Sequence, residues 1–321
     1  MIKKGIAFLL LAVFFLSACK KENKVETEIA KIPVEIDVDR FEQEFYKSPI
    51  GQLQSIKRKY PYLFPVQYKD SFWLQRKKDT LQLELVAQVD ETFGGLGQEK
   101  ENIRALFQHI KYYFPSFDPP HVITLTSDVD YENKVIYADS LLLISLDTYL
   151  GESNYLYEGL SQYKRANMRK SMLLSDIANA ITGRKVRQPQ NRIFLYQMIY
   201  HGKILYLKDK LLPLLPDKDK IGYSQEQLQW AAENEQFIWR YFVENDMLYE
   251  TDPKLLQRFI YDAPFSKFYL EIDSESPGRL GQWLGWQIVR SFMNNNDVSL
   301  QQLLETPEEE IFNRAKYKPK K

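Results

Sequence analysis

The sequence predicts an α+β fold that is mostly α, a helical domain with a small β-meander set into its first half. Two patterns point to it. Three short apolar runs, His121 to Thr126, Lys134 to Tyr137 and Leu141 to Leu146, follow one another closely. Turn-forming residues separate them, first Asp128 to Asn133 and then Ala138-Asp139-Ser140. From Gly151 onward, apolar residues recur at helical spacing to the end of the chain, with no internal repeat or low-complexity tract.

The N-terminus reads as a signal peptide over residues 1–18. Lys3 and Lys4 form a positive start, and an apolar run extends from Ile6 to Leu16. As a helix that run spans about 16 Å, too short for a bilayer core of about 30 Å, so it marks export and not a membrane span. Leu16-Ser17-Ala18-Cys19 closes it as a lipobox, which makes Cys19 the expected lipidation site. The charged stretch Lys20 to Lys31 lacks periodicity, so residues 19–33 are expected to form a lipidated tether and 34–321 a single globular domain. Lys20 follows Cys19 where some bacteria place an inner-membrane retention Asp, which favours the outer membrane, facing the periplasm.

Within the body, Val34 to Val38 suggests a strand, and Phe41 to Tyr46 and Leu53 to Tyr60 suggest short helices, with Tyr62-Leu63-Phe64-Pro65 as a stop. Leu81 to Thr92 and Gln98 to Phe114 read as helices joined at Gly94, Gly95 and Gly97. Further helices are expected at Arg169 to Thr182, Gln190 to Leu212, Ser224 to Glu244, Pro253 to Tyr261, Pro277 to Asn294 and Glu308 to Lys316.

Composition excludes several classes of chemistry. The chain has 1 Cys, the lipobox residue, so the body has no disulfide, thiolate ligand or cysteine nucleophile. Lys+Arg and Asp+Glu are both 43, with no basic stripe, and an exported chain has no nucleic-acid partner. Only 3 His are present, and none pairs with another at metal-ligand spacing. No metal or other cofactor is expected.

Three features remain. The Gln190 to Leu212 helix is apolar around most of its circumference, with stripes through Ile193, Tyr196, Tyr200 and Ile204 and through Phe194, Met198 and Leu205. His201 near their seam is either a buried, neutral, hydrogen-bonded histidine or a ligand. Glu235 interrupts the apolar stripe of the next helix, as a buried ion pair or as the polar floor of a cleft. Gly278, Gly281 and Gly285 share one helical face that runs on through Val289 and Phe292. Glycines there cost about 1 kcal/mol each in a helix, so they imply close approach, by an internal helix or by a partner. Trp283 and Trp286 flank the face and suit either role.

Several of these residues carry a resemblance. Asn234-Glu235, Ile238-Trp239-x-Tyr241-Phe242, Ala263-Pro264-Phe265-Ser266-Lys267-Phe268-Tyr269, and the run from Pro277 to Arg290 resemble the gliding-motility lipoprotein family GldB of the Bacteroidetes. The lipobox and Leu146-Asp147-Thr148-Tyr149-Leu150-Gly151 fit as well. The resemblance implies a role in gliding and its associated type IX secretion machinery, with other proteins of that apparatus as partners. More distantly, the chain is similar to zinc-dependent proteases whose central helix carries His-Glu-x-x-His, which implies a degenerate zincin-like fold. The matching place here reads His201-Gly202-Lys203-Ile204-Leu205, lacking the Glu and the second His. Glu235 falls where a third ligand would stand. The expectation is therefore an inactive relative acting through protein contacts; the rivals are a cell-envelope hydrolase around His201 and Glu235 and a glycan-binding lipoprotein using exposed aromatics.

Overall fold

Strands covered on both faces need apolar residues at nearly every position, and two runs in this chain have them. The structure, a computed structural model, describes residues 24–320; the signal peptide and Cys19 lie outside the described residues. Four strands form one sheet: β1 (Val38–Arg40), β2 (His121–Leu125), β3 (Val135–Ala138) and β4 (Leu141–Ser145). Their order is β1-β2-β4-β3, with β1 and β4 parallel to β2 and only β3 antiparallel, to β4. The fold class is α+β and mostly α, but the sheet is not a meander. A meander would pair β2 with β3; instead β4 slots between them, His121 opposite Leu141. Val122, Leu142 and Ile144 enter the large core on one face, while Ile123, Leu141 and Leu143 face a smaller aromatic core on the other.

The smaller core is built from the chain's first helices: α2 (Phe41–Lys47), α3 (Leu53–Lys59), α4 (Asp70–Arg76) and α5 (Thr80–Phe93). Phe45, Phe64 and Trp73 meet there with ring centroids 4.7–6.2 Å apart, and Phe41 joins Tyr60 to them at 5.2 Å. Before them, residues 24–29 form a short helix, α1, which packs on α6 (Gly97–Tyr113). Ile29 is 1% exposed, and the Gln108 amide donates to the carbonyls of Ala30 (3.2 Å) and Ile32 (2.8 Å). The His109 Nε2 lies 3.0 Å from the Glu26 carboxylate. The expected tether over 19–33 is thereby corrected: from residue 24 the chain is already part of the fold. The expected strand at Val34 to Val38 also moves, to Val38–Arg40, because pairing with β2 begins only at Val38.

The large core holds the remaining helices: α7 (Gln162–Arg165), α8 (Leu173–Thr182), α9 (Phe194–Leu211), α10 (Asp217–Ile221), α11 (Gln225–Glu233), α12 (Glu235–Glu244), α13 (Pro253–Phe259), α14 (Leu280–Asn295), α15 (Leu300–Glu305) and α16 (Glu308–Ala315). α9 is buried on nearly every side and packs most extensively on α14, with α8, α6 and α16 around the pair. Its start shifts from Gln190 to Phe194, whose amide donates to the Glu250 carbonyl. The expected helix Ser224 to Glu244 is two. Ser224 caps the first through a capping box with Gln227, and Asn234 (φ −102°, ψ 11°) breaks the axis before Glu235. α14 begins at Leu280 and not at Pro277. Ser276 does not cap it: its hydroxyl bonds the carbonyls of Ser266 and Asp273 (3.0 and 2.8 Å), and Arg279 turns left-handed at φ 60°. Among the described residues, no helix is long and apolar enough to cross a membrane.

Candidate functional site

The α9–α14 crossing is where two backbones touch. A Cβ on Gly202 would overlap the Gly285 carbonyl, and a Cβ on Gly285 would overlap the Met198 carbonyl. Gly281 faces Phe259 and Ile260, where a Cβ would lie 2.9 Å from the Phe259 carbonyl and 2.8 Å from the Ile260 Cδ1. Gly278 precedes the helix, and its space is filled by the Ala263 carbonyl. The contact on this face is thus internal. Trp283 and Trp286 are buried too: Trp286 donates to Asp209 (2.9 Å), and the Arg290 guanidinium lies 3.7 Å from its ring centroid. Arg290 holds Asp209 with two hydrogen bonds (2.7 and 2.8 Å) and Asp217 with a third (2.8 Å). Lys220 adds an ion pair to each carboxylate, tying α9, α10 and α14 together.

Beside this crossing opens a cavity of about 1260 Å³. Its wall comes from α8, α9, the 131–134 loop, the 183–188 segment and the turn before α14. His201, Ile204, Leu205 and Lys208 reach it from α9. His201 is half-buried and has no hydrogen-bond partner among the described residues; its ring packs edge-on to Tyr200, centroids 5.0 Å apart. Desolvation, with the charge of Arg279 added, lowers its pKa to about 4, so the ring is neutral at pH 7. Lys208 is enclosed: its Nζ donates to the Ser175 hydroxyl (3.0 Å) and the Lys220 carbonyl (2.9 Å), both neutral. Burial lowers its pKa to about 8. Arg279 reaches the cavity from its left-handed turn, with its guanidinium on the Gly222 carbonyl (2.9 Å) and 3.3 Å from Asp262.

Glu235 is elsewhere. It is 3% exposed at the start of α12, does not line the cavity, and accepts a hydrogen bond from the Tyr317 hydroxyl (2.7 Å). The expected ion pair is corrected to a tyrosine partner brought by the chain's last residues. Burial and Glu235 together push the Tyr317 hydroxyl well above its usual pKa. His201 and Glu235, paired in the sequence reading as a vestigial cleft, are therefore not brought to one site. Among the described residues no group of three His, Cys, Asp or Glu converges as a metal site. The place a His-Glu-x-x-His motif would give to Glu is Gly202, where the crossing leaves no room for a side chain.

The sequence reading missed Lys208 and Asp147. Lys208 was legible in principle, as a cation inside a helix apolar on all sides. Asp147, fully buried, accepts from the amides of Ser127 (3.0 Å) and Val129 (2.8 Å), and so holds Asp128 and Val129 in left-handed conformations (φ 59° and 60°). The loop it fixes leads into Tyr131, Glu132 and Lys134 on the cavity rim. Desolvation, only partly offset by these amides, pushes its carboxyl up to about 6.

Fold and site together define an α+β protein organised around a backbone-to-backbone helix crossing, with a broad polar cavity at its flank. The chain matches the family described as gliding motility protein GldB over residues 22–319, and it belongs to that family, a family of membrane-anchored cell-envelope lipoproteins. No curated protein and no solved structure matches it, and nothing in these comparisons supports the likeness to zinc proteases.

Proposed function

We propose that the protein is a lipid-anchored, non-catalytic component of the gliding apparatus and its associated type IX secretion machinery, working through contacts with other proteins of that apparatus. Family membership across residues 22–319 carries the reading. The lipobox at Cys19 supplies the membrane attachment, and Lys20 favours the outer membrane with the body facing the periplasm. Support for a non-catalytic role comes from Gly202, held side-chain-free by Gly285, and from Glu235, closed against Tyr317 away from His201.

Crosslinking in living cells, followed by identification of the captured proteins, tests the reading. Gliding or secretion components are the expected catch, and Cys19→Ser should abolish both fatty-acid labelling and motility. The rival, a cell-envelope hydrolase, draws on the open cavity at His201. His201→Gln separates the two. A folded variant that still glides agrees with the non-catalytic reading, and a folded variant that cannot glide favours the hydrolase.

A further inference from the structure

Basic side chains outnumber acidic ones seven to three along the cavity wall. Four of the seven are met by carboxylates: Lys134 by Asp176, Arg184 by Asp139, Lys220 by Asp209 and Asp217, and Arg279 by Asp262. Among the described residues no carboxylate lies within ion-pair distance of the other three, Lys164, Arg187 and Lys208. Lys208 is the most telling of them. Its charge is enclosed by protein and hydrogen-bonded only to a hydroxyl and a carbonyl, which leave one of its three N–H groups free, while Asp176, already paired with Lys134, attracts it from beyond ion-pair distance. A cation only partly compensated in a poorly solvated place is costly, and an anion brought to it is bound strongly for the same reason.

The rest of the wall narrows what kind of anion fits. Tyr163, Tyr200 and Tyr261 line it as aromatic rings, Tyr131 carries the Lys164 ammonium over its ring (4.8 Å), and Asn179 and Gln188 offer amides that both donate and accept. His201, neutral and without a partner, adds one donor and one acceptor. Aromatic faces for C–H surfaces, amides for hydroxyls and unpaired cations for a charged group together match a sugar that carries an anion. Small-ligand sites usually enclose about 300–1000 Å³, so 1260 Å³ has room for more than one ring.

We propose that this cavity is a binding site for an anionic saccharide, a sugar bearing phosphate or carboxylate, with Lys208, Arg187 and Lys164 facing the charged group and the tyrosines facing the ring. The site adds a ligand to a protein whose other contacts are with proteins, and it stands or falls independently of them.

Titration calorimetry on the full chain in detergent tests the site with five probes: glucose 6-phosphate, glucuronate, glucose, inorganic phosphate and adenosine monophosphate. At least one of the two sugar anions should bind at least about tenfold more tightly than glucose, phosphate and the nucleotide. Which one does so distinguishes phosphate from carboxylate as the recognised group. The double variant Lys164→Glu, Arg187→Glu alters the wall outside the core; it should melt like the parent and bind at least about tenfold more weakly. Lys208→Met should show the same loss and guards against a misfolded double variant. No heat from either sugar anion at millimolar concentration, a preference for the nucleotide or for phosphate alone, or unchanged binding in both variants would each overturn the proposal.

Discussion

A histidine that is neutral in the fold but basic once unfolded makes stability depend on pH. His201 titrates near 4 in the folded protein, against an ordinary value of 6.5. Between those values the unfolded chain binds a proton that the native state does not, so this residue's contribution is present above pH 6.5 and is lost as pH falls toward 4. Asp147, pushed up to about 6, gives the opposite slope between its ordinary 3.8 and 6, so the parent's melting curve alone does not isolate His201. The comparison with His201→Gln does: relative to the parent, the variant should gain melting temperature steadily from pH 6.5 to 4.5, and a constant gap would refute the assignment. Lys208 has its own window. Its pKa is lowered from 10.5 to about 8, so its burial destabilises the fold fully below pH 8 and stability recovers as pH rises toward 10.5. Lys208→Met should therefore stabilise the protein at pH 7 by about 1–3 kcal/mol and flatten that alkaline recovery in chemical denaturation. Of this site the sequence showed His201 and its lack of a motif partner. It hid the pairing of Glu235 with Tyr317, because no periodicity encodes a contact across 82 residues.

The helices were mostly legible because each buries one face, and a face repeats every 3.6 residues. What periodicity does not mark is where an axis breaks. The apolar spacing runs from Ala231 to Ile238 across Asn234, which turns the backbone, so one expected helix is two. The sheet was misread for a related reason: three runs near one another in sequence suggest hairpins, and only the pair β3–β4 is one. The consecutive apolar pairs and runs in β2 and β4, in place of strict alternation, carried the other signal, strands buried on both faces. The glycine face was readable as a demand for closeness, though its partner Gly202 lies 83 residues from Gly285 and went unpaired. That partner makes a graded prediction possible. An added methyl at Gly285 or Gly202 meets backbone carbonyl, which cannot rotate aside, whereas at Gly281 one of its two nearest neighbours is the mobile tip of Ile260. Gly285→Ala and Gly202→Ala should each destabilise by about 1–3 kcal/mol or more, despite the roughly 1 kcal/mol that alanine adds in helix propensity. Gly281→Ala should cost less than either. Urea midpoints for the three variants give the order directly, and a Gly281 variant worse than both would place the tightest contact on α13 instead of α9.

At the scale of the molecule, only a short stretch of chain separates Cys19 from the first residue of the fold. Residue 24 already belongs to α1, so the chain from Cys19 reaches at most about 18 Å before it is docked. A lipid on Cys19 would thus hold the α1–α6 side of the protein close to the bilayer and fix which surface the body turns away from it. The large core reaches from Val34 to Ala315, and Ile32 at the end of the docked segment packs against it. Removing residues 24–33 uncovers Ile29's site and strips the Gln108 amide of its two carbonyl partners. Burial of one isoleucine contributes about 2 kcal/mol, and each hydrogen bond about 1. A body beginning at residue 34 should therefore be less stable by about 3–4 kcal/mol than one beginning at residue 24. For a chain of this size that corresponds to roughly 5–7 °C in melting temperature. Scanning calorimetry on the two soluble forms decides the matter. Identical melting temperatures would mean that residues 24–33 are a tether after all, and that the body swings freely from its lipid.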